Sequence, residues 1–415
     1  MTHLDTKKQI GKKMLPLENI KILDLTRLIP GGVATSILAD LGAEVIKVEE
    51  PKFGDYGRGT KPLKKDISWR FLLLNRNKKS IALNLKQKEG YDIFIKLVKD
   101  ADVVIEGFRP GVTNKLKIDY ENLSKINDKI IYCSITSYGQ NGPFRDVIAH
   151  DLNILAESGF FHTTGIEDGP PIIPGIQIAD ITAGLNAAIG ILVSLIFREK
   201  TGKGQYVDIS MFDGVFCLLF DALSYAFAGE KIPERGKGRL YGGLSNYQIY
   251  ETKDKKFIAV GALETKFKNI LLDHLGLNSF IEKDDNSVTT QEVSDREKEL
   301  KGKLQEKFLE KTSSEWREIF EKLNICVNIV NDIEEAIRHP QTKFRELVVK
   351  SIHPKLGEIF LTGFPIKFSQ FKVKVDRIPV PKLGEHTYKI LKELGYDEEK
   401  IEELSNKGVI KIHKE

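Results

Sequence analysis

The first half of this chain alternates short β-branched runs with helical patterns, and that rhythm restricts its fold more than any other feature. Residues 20–25 read as a strand. Residues 33–41 read as a helix stopped by Gly42, which stands where helices commonly end in a left-handed residue. Residues 44–48 form a second strand pattern, and 80–85, 102–105 and 129–135 add three more, with a helix over 91–98. Strands that alternate with helices predict a parallel sheet covered by helices, an α/β domain. A chain of 415 residues exceeds one ordinary core. The expected layout is a large α/β domain over 17–228 and a polar linker over 229–245. A smaller α+β domain over 246–350 follows, then an extended linker over 351–382, and C-terminal helices over 383–415 that return to the large domain. In the smaller domain, 247–250 and 257–260 flank a turn and predict a hairpin. Helices are expected over 266–275, 298–309 and 314–323, and 283–298 is a charged segment.

Composition narrows the class of function. A net charge of +4 is too small to argue for nucleic acid. Cys133, Cys217 and Cys326 lie far apart, with no metal-ligand spacing. They fit a reducing compartment, and with a polar, Lys-bearing N-terminus the expected location is the cytoplasm. The most apolar stretch, 181–197, is interrupted by Thr182, Asn186 and Ser194 and predicts a buried helix rather than a membrane span. No glycine-rich dinucleotide fingerprint follows the first strand, where Ile29-Pro30-Gly31-Gly32 stands instead.

Two stretches carry candidate chemistry. Ala149-His150-Asp151-Leu152-Asn153 and Ile178-Ala179-Asp180-Ile181-Thr182 each place a titratable side chain where an irregular, Pro/Gly-rich stretch gives way to a helical pattern. The bland reading of Asp180 is an N-cap, and that of His150 a satisfied surface or core histidine. The functional reading uses the same positions. A carboxylate beside helix N–H groups is expected to stay ionised, ready as base or nucleophile. An imidazole at a helix N-terminus is expected to stay neutral and able to accept a proton. Asp151 reads as a structural cap for 152–157. Glu264 lies between a strand and a helix of the smaller domain and by itself reads as a helix-starting glutamate.

Basic residues gather at Lys61, Lys64, Lys65, Arg70, Arg76, Lys78 and Lys79, and again at Arg109 and Lys115. Such a run is usually a solvated face. The functional alternative is a phosphate site, because loops after the strands of an open α/β sheet bind ligands and arginine pairs with phosphate in a bidentate way. Trp69, Phe71 and Phe108 could stack on a base. Cys133 reads as core, and Ser134 and Ser137 lack the nucleophile-elbow pattern of a serine hydrolase.

Several segments in order resemble the class III CoA-transferase superfamily. They are Pro30-Gly31-Gly32 through Leu41-Gly42-Ala43-Glu44-Val45-Ile46-Lys47-Val48-Glu49, Asn75-Arg76-Asn77-Lys78-Lys79-Ser80, Ile105-Glu106-Gly107-Phe108-Arg109-Pro110-Gly111, Ser137-Tyr138-Gly139-Gln140-Asn141-Gly142-Pro143 and Gly202-Lys203-Gly204-Gln205. In the transferases of that superfamily, the aspartate matching Asp180 forms an aspartyl-CoA thioester. In its alpha-methylacyl-CoA racemases, the same aspartate and a histidine exchange the α-proton. His150-Asp151-Leu152-Asn153 is similar to the racemase segment, with Ala149 in place of its glycine. Gly261-Ala262-Leu263-Glu264 is similar to a second racemase segment. Glu50 before Pro51 is instead similar to many transferases.

The resemblance therefore implies a racemase of 2-methylacyl-CoA thioesters with His150, Asp180 and Glu264 as catalytic residues. CoA-transfer between carboxylic acids through Asp180 is the alternative. It further implies CoA contacts at Leu83, Leu85, Gly107, Phe108, Arg109, Lys115 and Asp151, with phosphates also near Lys78-Lys79. Glu264 would orient His150, and backbone N–H groups near Asp151 would stabilise the enolate. CoA enters as part of the substrate, with no permanently bound cofactor, no metal, no nucleic acid and no membrane. An interlocked homodimer is expected.

Overall fold

The computed structural model describes residues 14–281 and 294–413. The charged segment expected over 283–298 falls outside these residues up to position 293. Ser294 caps the following helix, Asp295–Phe308, by accepting from the Glu297 N–H.

The fold is mixed α/β. The main sheet contains β1 (Lys21–Asp24), β2 (Glu44–Glu49), β3 (Lys78–Leu83), β4 (Val103–Glu106), β5 (Ile131–Thr136) and β6 (Gln205–Ser210). They run parallel in the order β3-β2-β1-β4-β5-β6, and the terminal strand Ile410–Lys411 adds antiparallel to β3. This is a doubly wound sheet that reverses direction between β1 and β4. Ligands of such sheets bind outside the carboxyl ends of the strands at that reversal. The central strands are buried along their length, as expected of strands covered on both faces.

The helices that matter to the site are α1 (Leu28–Asp40), α2 (Trp69–Asn75), α3 (Lys88–Lys99), α4 (Asp151–Glu157) and α5 (Ile178–Thr201). Helix α3 is amphipathic, and Ile93, Phe94, Leu97 and Val98 join Leu23, Val104, Tyr132 and the C-terminal Ile390 and Leu391 in one core. Helix α5 is longer than the apolar stretch suggested and by length and composition could cross a membrane. It packs on α1 and on strands β5 and β6. A glycine on each helix permits close packing here: Gly184 of α5 against α1, and Gly31 of α1 against the turn that precedes it. A Cβ at Gly184 would lie 2.6 Å from the Pro30 carbonyl and 2.7 Å from Val33. A Cβ at Gly31 would lie 2.0 Å from the Thr26 hydroxyl.

Contacts divide the chain into two compact units. One holds the residues up to Ile154, Gln177–Val215 and Pro340 onward; the other holds Leu155–Ile176 and Phe216–His339. The second unit carries an antiparallel sheet of Tyr247–Glu251, Phe257–Gly261 and Val327–Ile329 over its own core of Leu271, Leu304, Phe308, Trp316 and Phe320. Part of the stretch expected as extended linker is a hairpin, Val348–His353 with Gly357–Thr362. Val348, Ile352 and Phe360 face outward, so polar and apolar residues do not alternate there as in a half-buried strand.

Candidate active site

The turn from β1 to α1 lies at the carboxyl edge of the sheet. Leu28, the first residue of α1, holds a left-handed backbone with φ 62. Such a conformation costs about 1–3 kcal/mol for a non-glycine residue and persists only where the surroundings fix it. Here the Leu28 N–H donates to Asp55 Oδ1 at 3.3 Å. Asp55 is in turn paired with Lys47 Nζ at 2.8 Å, and Lys47 also donates to the Thr26 carbonyl at 2.9 Å. Lys78 completes this buried network, donating to Thr35 Oγ1 at 2.6 Å, Asn75 Oδ1 at 2.8 Å and Asp24 Oδ2 at 3.3 Å. Burial brings the Lys78 ammonium down to about 8. The network braces the turn.

This corrects the expectation that Lys78-Lys79 meets phosphate. Lys78 is fully buried, and its three hydrogen bonds fill its donor capacity. Lys79 pairs with Glu44, and Arg76 with Asp40 at 2.7 Å. Arg109 and Lys115 differ: both are exposed and make no side-chain pair among the described residues. Gly107 is exposed and Phe108 half-buried at the end of β4. Leu83 lies in the core at 2% exposure, with Leu85 packed partly against that core, so Leu83 offers a ligand no side-chain surface.

Two residues at this edge were not singled out from the sequence. Arg27 follows β1, donates to the Tyr56 hydroxyl at 2.9 Å, and lies 4.9 Å from the Tyr56 ring centre and 5.8 Å from that of Phe108. It thus bridges the loops after β1 and β4, at the reversal of the sheet. Glu106 ends β4, accepts from the Phe108 N–H at 2.7 Å and from the Ser134 hydroxyl, and is pushed up to about 7 by burial. It fixes the start of the loop that carries Arg109. A charged residue closing a buried strand was the available signal for Glu106. None existed for Arg27, whose partners are distant in sequence.

His150 and Asp180 belong to the same compact unit and reach it by different routes. The loop after β5 is tied back where the Ser137 hydroxyl donates to the Ala149 carbonyl at 3.2 Å. His150 then stands immediately before α4, its N–H donating to Asn153 Oδ1 at 3.1 Å and its carbonyl accepting from Asn153 and Ile154. Asp151 was expected to cap that helix. Instead its Oδ1 accepts from the N–H groups of Ala179 at 2.7 Å and Asp180 at 3.2 Å, so it caps α5. Asp180 is therefore not the N-cap but the third residue of α5, one turn before Gly184 and on the face turned to α1. One carboxylate thereby holds the residue after His150 against the backbone of Asp180.

Among the described residues, neither the His150 imidazole nor the Asp180 carboxylate makes a hydrogen bond or ion pair. The electrostatics of Asp180 also differ from expectation. Burial first, and the neighbouring Asp151 charge second, raise its carboxyl to about 6 against the lowering effect of Arg70. Loss of hydration outweighs the Arg70 charge. Glu264 lies in the other compact unit, exposed, at the N-cap of helix Thr265–His274, and makes no side-chain cap bond. Cys133 is buried in β5, as its apolar context predicted.

Known proteins resemble this chain along nearly its whole length. The profile of CoA-transferase family III matches residues 17–387. Human succinyl-CoA:glutarate CoA-transferase is 39% identical over 96% of this chain and 90% of its own. Human alpha-methylacyl-CoA racemase is 34% identical over 96% of this chain and 99% of its own. A CAIB/BAIF family protein from Brucella suis has a crystal structure that superposes with a TM-score of 0.80 at 32% identity, covering 92% of this chain and 99% of that one. The chain belongs to CoA-transferase family III, an enzyme family whose matched members include both CoA-transferases and racemases.

Proposed function

We propose that the chain is an acyl-CoA racemase that inverts the α-carbon of 2-methylacyl-CoA thioesters. The observation that carries this is the tie through Asp151, which holds His150 and Asp180 at adjoining helix starts with both side chains unspent. A thioester α-proton is weakly acidic, and inversion needs one group to remove it from one face and another to return a proton to the opposite face. An imidazole and a carboxyl do both, each carrying the proton in one direction of the reaction. Positioned proton transfer contributes about 10²–10⁴-fold per group. A carboxyl near 6 is ionised at neutral pH, as a base must be, and still gives its proton back readily.

CoA would lie over the carboxyl ends of β1 and β4, with its anionic groups toward Arg27, Arg109 and Lys115. Glu264, in Gly261-Ala262-Leu263-Glu264, is proposed to orient His150. On α5, Leu185, Ile189, Val193 and Ile196 form an exposed apolar stripe at helical spacing, which supports a homodimer.

A second reading has its own support. The human and mouse succinyl-CoA:glutarate CoA-transferases match at 39% identity, above the human and mouse racemases at 32–34%. Asp180 would then attack the thioester carbonyl and expel CoA thiolate to form an acyl-aspartyl anhydride. The thiolate would return to the aspartyl carbonyl, releasing the first acid, and the resulting aspartyl-CoA thioester would pass CoA to a second carboxylic acid by the same two steps in reverse. One assay separates the two. A single enantiomer of 2-methylacyl-CoA is incubated in D₂O. The racemase takes up deuterium at Cα with loss of optical purity, and needs both His150 and Asp180. Transfer to a free carboxylate without exchange, with an Asp180 adduct trapped by hydroxylamine, would establish the transferase instead.

A further inference from the structure

The start of α1 is flanked by two helices that arrive from different parts of the chain. On one side Gly184 of α5 presses on Pro30 and Val33; on the other Gly32 presses on Leu74 of α2, whose Cβ would lie 3.3 Å from an added methyl. Asp180 stands four residues before Gly184, and Arg70 stands four residues before Leu74. Residues four apart share a helix face. Asp180 and Arg70 therefore each stand one turn N-terminal to a contact with the same short segment of α1.

Arg70 is unlike four of its basic neighbours. Arg58 is spent on Glu49, Arg76 on Asp40, Lys78 on Asp24 and Lys79 on Glu44. Arg70 is exposed and has no hydrogen bond or ion pair among the described residues. Its charge nevertheless acts on Asp180, without the two groups closing into an ion pair. A carboxyl and an unpaired guanidinium thus stand beside the same short segment of α1.

We propose that Arg70 is a specificity-determining residue that binds a carboxylate at the far end of the acyl group, so that the favoured thioesters are α-branched acyl-CoAs ending in an anion. The guanidinium is the side chain suited to this, because its planar fork meets a carboxylate with two parallel N–H bonds. With the α-carbon at Asp180, the acyl chain runs away from the thioester toward Arg70. The carboxylate neutralises the guanidinium, which leaves Asp180 to be governed by burial. An acyl chain ending in a methyl group leaves Arg70 to water and gains nothing from it.

The inference rests on Asp180 as the reacting centre. The test compares two 2-methylacyl-CoA thioesters of equal length, one ending in a carboxylate and one in a methyl ester. Cα deuterium exchange is measured for the native protein, Arg70→Ala and Arg70→Lys. The readout is the ratio of kcat/KM between the two substrates. A charge-assisted pair predicts a native ratio of about 10–100-fold in favour of the carboxylate. Arg70→Ala should collapse it toward one, and Arg70→Lys should keep part of it. A native ratio near one overturns the proposal. So does an Arg70→Ala variant that slows both substrates by the same factor, because Arg70 then serves Asp180 or a CoA phosphate. If neither substrate exchanges, the racemase proposal fails by itself. The same variants are then compared in CoA transfer to a dicarboxylic and a monocarboxylic acid, where an unchanged acceptor ratio in Arg70→Ala refutes the role of Arg70.

Discussion

Replacing Asp180 by Asn should abolish proton exchange and at the same time stabilise the protein, but only above mildly acidic pH. The native carboxyl is raised from 3.8 to about 6, by burial first and the Asp151 charge second. In the unfolded chain it titrates near its ordinary value. The folded protein therefore holds the proton more tightly than the unfolded one. Stability falls as pH rises from about 4 to about 6, while the native state keeps a proton that the unfolded state has lost. Above about pH 6 both are ionised and the whole penalty remains. A rise of that size corresponds to about 3 kcal/mol at most. The side chain keeps some access to solvent, which screens the charge and leaves about 1–2 kcal/mol. Asn fills the same space without ionising, so the variant should match the native protein only below about pH 3.5 and exceed it by a few degrees in Tm at about pH 7.5. Thermal melting of both proteins across that range measures the difference. A difference that is flat with pH, or that shrinks as pH rises, would refute the account of Asp180 as a carboxyl held ionised at a cost.

Four further outcomes follow from the same geometry. With single enantiomers, the direction in which Asp180 accepts the proton should lose kcat/KM below about pH 6, and the direction in which it donates should lose it above that pH. Asp151→Asn removes the second cause of Asp180's raised carboxyl, so those limbs should move to lower pH; Asp151→Ala should also cost about 0.5–2 kcal/mol in urea unfolding through the lost cap of α5. Gly184→Ala forces a methyl to 2.6 Å from the Pro30 carbonyl and should cost about 1–3 kcal/mol, with exchange falling because Asp180 moves with its turn. Charging the exposed stripe of α5 by Ile189→Asp should shift sedimentation from dimer to monomer.

Much of the fold is legible in the sequence because its signals are local. Strand periodicity, the glycine that stops α1 and the hairpin over 247–261 all act within a few residues of themselves. Asp180 and His150 were legible for the same reason, each standing where an irregular stretch gives way to a helix. What was misread is non-local. Lys78 looks like a solvated member of a basic run until Asp24, 54 residues away, takes it into the sheet. Asp151 looks like the cap of its own helix until the start of α5, 28 residues on, arrives with bare N–H groups.

The sequence by itself therefore determined the α/β class, the family motifs and the two residues proposed to exchange the proton. The tertiary structure alone decided the order of the strands, and with it the edge where Arg27 meets Phe108. It also decided the acidity of Asp180 and brought the Arg70 charge to bear on it. The physical reason is that burial and charge pairing depend on what folding brings within a few ångströms, and neither the period of a strand nor the cap of a helix carries that information.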